Sequence, residues 1–144
     1  MQKLSVILIC ILLLACTACR KKGNPYAGLP AVILKDTTSV VFPESQFAFG
    51  KINEGDKVEH IFKFKNTGDK DLIIANAWGS CGCTVPEYPK EPLKPGAVGE
   101  IKVTFNSTGK KGEQHKSVTV QMNTIRHNEE LFLSGEVTPN DTKK

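Results

Sequence analysis

From residue 37 onward, apolar side chains recur at every second position. Val58, His60, Phe62 and Phe64 share one face against Glu59, Lys63 and Lys65. Ile101, Val103 and Phe105 oppose Glu100, Lys102 and Thr104, and Val118, Val120 and Met122 oppose Ser117, Thr119 and Gln121. A period of two belongs to strands with one face buried and the other wet. Further runs at residues 40–42, 47–52, 71–77 and 130–137 bring the expected total to about seven strands, the number typical of an immunoglobulin-like sandwich. Between them stand Asn53-Glu54-Gly55-Asp56, Asn66-Thr67-Gly68-Asp69, Pro95-Gly96, Ser107-Thr108-Gly109 and Arg126-His127-Asn128, all clusters of turn-forming residues. No run has helical spacing. The pattern predicts an all-β, immunoglobulin-like antiparallel β-sandwich over residues 37–138, large enough for one core. Trp78 and the seven phenylalanines are its natural large core pieces.

Outside this region the pattern changes. Leu4 to Ala15 is apolar apart from Ser5 and Cys10, and at about a dozen residues it is shorter than the ~20 needed to span a bilayer. Leu13-Leu14-Ala15-Cys16 resembles a bacterial lipoprotein cleavage box, which makes residues 1–15 a lipoprotein signal peptide and Cys16 the lipidated new N-terminus. Cys19, also preceded by alanine, is the alternative. Residues 16–36, with prolines, glycines and no periodicity, read as a flexible lipid-anchored tether, and residues 139–144 as a disordered tail. Asp36-Thr37-Thr38 resembles an O-glycosylation sequon of exported proteins, in competition with a plain linker. The expected location is the cell envelope, on the outer membrane facing the periplasm.

Charge then excludes one class of partner. The whole chain carries +4, but residues 37–138 hold 12 Lys plus Arg against 13 Asp plus Glu, a net −1. The excess sits at the ends, where Arg20-Lys21-Lys22 suits anionic headgroups. No nucleic acid partner is expected; the expected partners are the membrane, through the anchor, and an envelope protein.

Only Cys81 and Cys83 fall within the domain, so a disulfide between distant strands is impossible and hydrophobic burial must hold the sheets together. Residues two apart in an extended strand lie roughly 6.5–7 Å between Cα atoms, near the limit for a disulfide. Joining Cys81 to Cys83 therefore needs a bend, for which Gly82 is the suitable residue. Three readings stay open: an oxidised pair shaping the bend, the default outside the cytoplasm; a thiol-redox pair, favoured by ring strain; and half of a soft-metal site for copper(I) or zinc. Immediately after come Pro86, Pro89, Pro92 and Pro95, three apart like the rings along one edge of a polyproline II helix. They form either a stiff connection ending in a type II turn at Pro95-Gly96 or, with Tyr88, a docking loop. His60 reads as a partly buried strand histidine, His115 and His127 as surface residues.

Ser80 to Gly112, "SCGCTVPEYPKEPLKPGAVGEIKVTFNSTGKKG", closely resembles the bacterial domain of unknown function 1573. The likeness covers roughly residues 40 to 138 and rests on the Cys-Gly-Cys-Thr, Pro-Gly and Phe-x-Ser-Thr-Gly-Lys elements together. It implies an exported or lipid-anchored protein with an immunoglobulin-like module related to the Hydin and major-sperm-protein types. Asn106 stands where many members carry aspartate.

No Gly-x-Ser-x-Gly elbow, no His-x-x-x-His and no phosphate-cradling glycine loop occurs. The expectation is a protein that is not an enzyme and needs no cofactor or resident metal: an envelope lipoprotein serving as a binding or scaffolding module. The alternative is a thiol-redox or soft-metal-handling accessory protein using Cys81 and Cys83.

Overall fold

The computed structural model describes residues 36–140. The expected signal peptide, both candidate lipidation sites, nearly all of the tether and residues 141–144 lie outside that range.

Eight strands follow in chain order: β1 Val40–Val41, β2 Gln46–Asn53, β3 Lys57–Asn66, β4 Ile74–Gly79, β5 Thr84–Glu87, β6 Val98–Asn106, β7 Gly112–Met122 and β8 Asn128–Thr138. They form two four-stranded sheets, ordered β1-β3-β6-β5 and β2-β8-β7-β4. The alternation read from the sequence is the alternation of burial. Phe62, Phe64, Ile101, Val103 and Phe105 from one sheet and Val118, Val120, Met122, Leu131 and Leu133 from the other are buried and make the core. The sandwich is all-β, as expected, with three departures of physical interest.

First, one pair is parallel. The chain starts in the first sheet as β1, crosses at Pro43-Glu44-Ser45, and enters the second as β2, which lies parallel to β8 with Phe47 opposite Leu133. The N-terminal segment of the domain thereby adds a strand to each sheet. The remaining strand pairs are antiparallel.

Second, two bulges shift the phase of the alternation. In β2 the register slips between Ala48 and Gly50, where Gly50 has φ 72°; Phe47 and Phe49 face the core, and three residues later Ile52 does again. In β4 the slip lies between Ile74 and Asn76. Counting by twos from buried Ile74 would bury Trp78, but the extra residue turns Ala77 inward and Trp78 outward, 42% exposed. Trp78 is thus a surface residue and not the expected core piece. Phe132 is also on the outer face, between buried Leu131 and Leu133.

Third, the proline segment divides among local structures. Pro86 lies in β5, opposite Val103 at the edge of its sheet, a place where its missing N–H costs nothing. Leu93 pairs with Leu72 in an isolated bridge. Pro95 and Gly96 occupy the centre of a turn closed by Ala97 N–H to Lys94 O at 3.0 Å, with Gly96 at φ 80°, as type II requires.

Two buried asparagines fasten the end of the sandwich where the chain enters. Asn66 donates to the carbonyls of Lys70 (2.7 Å) and Leu93 (2.9 Å) while its Oδ1 accepts from Thr38 Oγ1 and Gly68 N–H. Asn123 donates to Asp36 O and Asp71 O and accepts from Ile73 N–H. Thr38, in the sequon-like stretch, is buried by these contacts, which leaves Thr37 as its exposed hydroxyl.

Candidate functional site

Strand β6 runs from the entry end to the opposite end, about 27 Å away at ~3.3 Å per residue. At the far end it delivers Phe105 and Asn106 beside the Cys-Gly-Cys-Thr segment: Thr84 is the register partner of Phe105, and Asn106 N–H donates to Cys83 O at 2.9 Å. Two stretches that stand more than 20 residues apart in the chain thus form one corner.

Cys81 and Cys83 form a disulfide with Cα atoms 5.2 Å apart. The bend that shortens this distance is a turn closed by Thr84 N–H to Cys81 O at 3.1 Å. Gly82 is not in the left-handed region, and a Cβ there would meet nothing within 4 Å. The bend therefore does not need the glycine that the sequence offers for it. Ser80 N–H donates to Ser117 O at 2.8 Å, so the bend is tied to both sheets by backbone alone. Thr84 is buried, and its hydroxyl lies 3.6 Å from Cys81 Sγ and 4.0 Å from Cys83 Sγ.

The second motif stretch shapes the neighbouring loop. Asn106 Oδ1 accepts from Thr108 N–H (3.0 Å) and Thr108 Oγ1 (2.7 Å), two bonds that an aspartate at this position would also accept. Ser107 is fully buried and donates to Asn53 O, while Asp56 O accepts from its N–H. These contacts lock the turn between β2 and β3 to that between β6 and β7. The sequence marked Ser107 only as a turn residue; its spacing from Asn53 hides the partnership.

Beside the corner, on the outer face of the second sheet, lies an open trough of about 550 Å³ lined by Gln46, Ser80, His115, Ser117, Phe132 and Ser134. Trp78 stands on the same face one row away, opposite Thr119. Trp78 and Phe132 are thus exposed on a face whose other lining side chains include hydroxyls, the Gln46 amide and Lys116.

Other sequence candidates lie elsewhere. Tyr88 packs against the core, its hydroxyl reaches Asn76 Oδ1 at 3.4 Å, and Lys90 Nζ caps its ring at 3.4 Å. Of the prolines, Pro92 and Pro95 are exposed. His60 stacks on Phe47 with centroids 3.7 Å apart; its Nε2 comes within 3.4 Å of Glu44, in ion-pair range but without hydrogen-bond geometry. His115 lies in β7 and lines the trough, while His127 occupies the β7–β8 turn at φ 62°. Among the described residues no group of three or more His, Cys, Asp or Glu side chains is placed to hold a metal ion. Lys51, on the opposite edge of the second sheet, has its pKa raised by a hydrogen bond from its ammonium to Glu136 and by that carboxylate's charge.

The family model described as "Protein of unknown function (DUF1573)" matches residues 40–137. No curated protein matches the chain in sequence. The fold is similar to that of a protein of unknown function from Porphyromonas gingivalis W83, with TM-score 0.62 and 12% identity over 78% of this chain and 51% of that one. It is also similar to the ASH / PapD-like domain 7 of human CEP192 (TM-score 0.56, 14% identity, 73% of this chain and 89% of that one). A third likeness is to the secreted serine protease VesC from Vibrio cholerae (TM-score 0.51, 13% identity, 74% and 24%). This chain spans about half the length of the Porphyromonas gingivalis protein. At such identities the likenesses show a shared sandwich and nothing of activity.

Proposed function

The chain belongs to the DUF1573 family of proteins of unknown function, and on that premise we propose that it is a non-catalytic binding module held at the cell envelope by a lipid on Cys16. The observation that carries this reading is the placement of the two ends. The chain enters the domain at Thr38, beside Asn123, whereas the corner built from Cys81, Cys83, Thr84 and Asn106 lies at the other end of β6. A lipid at Cys16, or at Cys19 in the alternative, would hold the entry end toward the membrane and present the corner to the periplasm, with the trough and Trp78 on the side face between the two ends. Anchoring raises the effective concentration of a partner on the same surface, so modest contacts suffice.

The partner that suits this end is another envelope protein. The domain's near-neutral charge gives no electrostatic footprint for nucleic acid, and exposed aromatics among polar side chains, as at Trp78 and Phe132 on the side face, suit a protein contact. The exposed Pro92 and Pro95 stand at the entry end, around Leu93 and the turn bonded to Asn66, and so would face the membrane rather than this partner. Tyr88 ties the start of the proline segment to β4.

The reading is tested by placing a photo-crosslinking amino acid at Thr108, at the far end, or at Ile125, at the entry end, and irradiating intact cells. Crosslinks to a discrete envelope protein from position 108 and not 125, with Cys16 diacylated in the mature protein by mass spectrometry, are expected. Crosslinks from 125 alone, or an unmodified Cys16 and Cys19, would overturn it.

A further inference from the structure

We propose that the Cys81–Cys83 disulfide is a thiol–disulfide exchange site for cysteine pairs of other exported proteins. This goes beyond the binding reading and stands without it. The first ground is what the bond does not do. A disulfide stabilises mainly by closing a loop in the unfolded chain, and a loop of only three residues leaves little entropy to remove. Nor is the bond needed for the bend, because backbone bonds from Thr84 to Cys81, from Asn106 to Cys83 and from Ser80 to Ser117 already hold it. As a staple the pair is nearly redundant.

The second ground is the surroundings. Both cysteines are half-buried, so each is within reach of solvent, but Cys83 packs against the core and Cys81 does not. An incoming thiolate therefore meets Cys81. The buried Thr84 hydroxyl has, among the described residues, no hydrogen-bonding contact other than the two sulfurs. It is positioned to donate to whichever sulfur becomes charged, and such bonds to an anion are the strong ones. Because the bend survives without the disulfide, the two reduced sulfurs stay close enough to close again.

The exchange balances as follows in atoms and electrons. A thiolate of the partner attacks Cys81 Sγ, a mixed disulfide forms, and Cys83 leaves with the electron pair of the broken bond as a thiolate beside Thr84. The partner's second thiolate attacks its own sulfur in the mixed disulfide, which closes the partner's disulfide and frees Cys81 as a thiolate. Two electrons pass from the partner dithiol to the pair, and the two protons lost by the partner's thiols end on Cys81 and Cys83. The reverse sequence reduces a partner disulfide.

The test uses the mature full-length protein, reduced glutathione as the thiol, and alkylation with mass spectrometry as the readout. Glutathione at millimolar concentration should reduce the pair while the circular dichroism spectrum stays that of folded sheet. Thr84→Val should slow reduction about ten-fold, the loss of one hydrogen bond to a charged sulfur, and Thr84→Ser should restore the wild-type rate. With oxidised glutathione in place of the reduced form, the free thiolate attacks its disulfide and one glutathione leaves as thiolate; this adduct should form on Cys81 in Cys83→Ser faster than on Cys83 in Cys81→Ser. A pair reduced only after denaturation, a Thr84→Val variant as fast as wild type, or faster adduct formation on Cys83 would overturn the proposal.

Discussion

Asn66 shows how much a single side chain can carry in a fold with no inter-sheet disulfide. Its amide satisfies two carbonyls and two donors drawn from three segments of the chain. Asn66→Ala removes four hydrogen bonds at once, although Lys70 O keeps Thr38 Oγ1, Leu93 O keeps Leu72 N–H and Gly68 N–H keeps Ser39 O, and a loss of about 2 kcal/mol is expected in urea unfolding. Gly82 is the opposite case. With no left-handed backbone and open space at its Cβ position, Gly82→Ala should change stability by less than about 0.5 kcal/mol, and the same unfolding curve reads it. Joint replacement Cys81→Ser/Cys83→Ser should cost no more than about 1.6 kcal/mol, against the larger losses seen when a long-loop disulfide is removed. None of the three outcomes is visible in the residue types alone: the sequence offers a turn asparagine, a bend glycine and a strained ring, and their neighbours reassign each.

Strands β2 and β4 carry the same lesson one level up. Each contains a bulge, and each bulge changes which residues face the core. Periodicity correctly predicts that both segments are strands, but it cannot register an inserted residue, because the phase after a bulge depends on the partner strand. Trp78 is the consequence. Trp78→Ala should lower stability by less than about 1 kcal/mol, while Phe62→Ala in unbulged β3 should cost about 4 kcal/mol; thermal unfolding of the two variants compares them directly. The short strand β5 was hidden for a related reason. Thr84 to Glu87 contains a proline, which suggests a connection, yet on an edge strand, in a non-hydrogen-bonded pair with Val103, Pro86 leaves no ladder bond unmade.

The two-sheet architecture itself was legible from the chain, since alternation over β3, β6 and β7 can bury one face only by stacking two sheets. So were the turns at Gly55, Gly96 and Gly109, each with a glycine at positive φ. The contact that tied Cys-Gly-Cys-Thr to Phe-Asn-Ser-Thr-Gly-Lys was not, nor was the separation of that corner from the chain's point of entry. If the anchor is as proposed, Cys16→Ser should move the protein from the membrane fraction to the soluble periplasmic fraction, read by fractionation and immunoblot. Local preference follows from neighbouring residues, and so strands, turns and the burial of alternate side chains could be read in order along the chain. The parallel closure of β2 on β8, the outward turn of Trp78 and the meeting of Thr84 with both sulfurs depend on which distant segments lie side by side. That choice is made by packing the sheets as a unit, where register and bulges are set jointly by both partners, and no single stretch of sequence contains it.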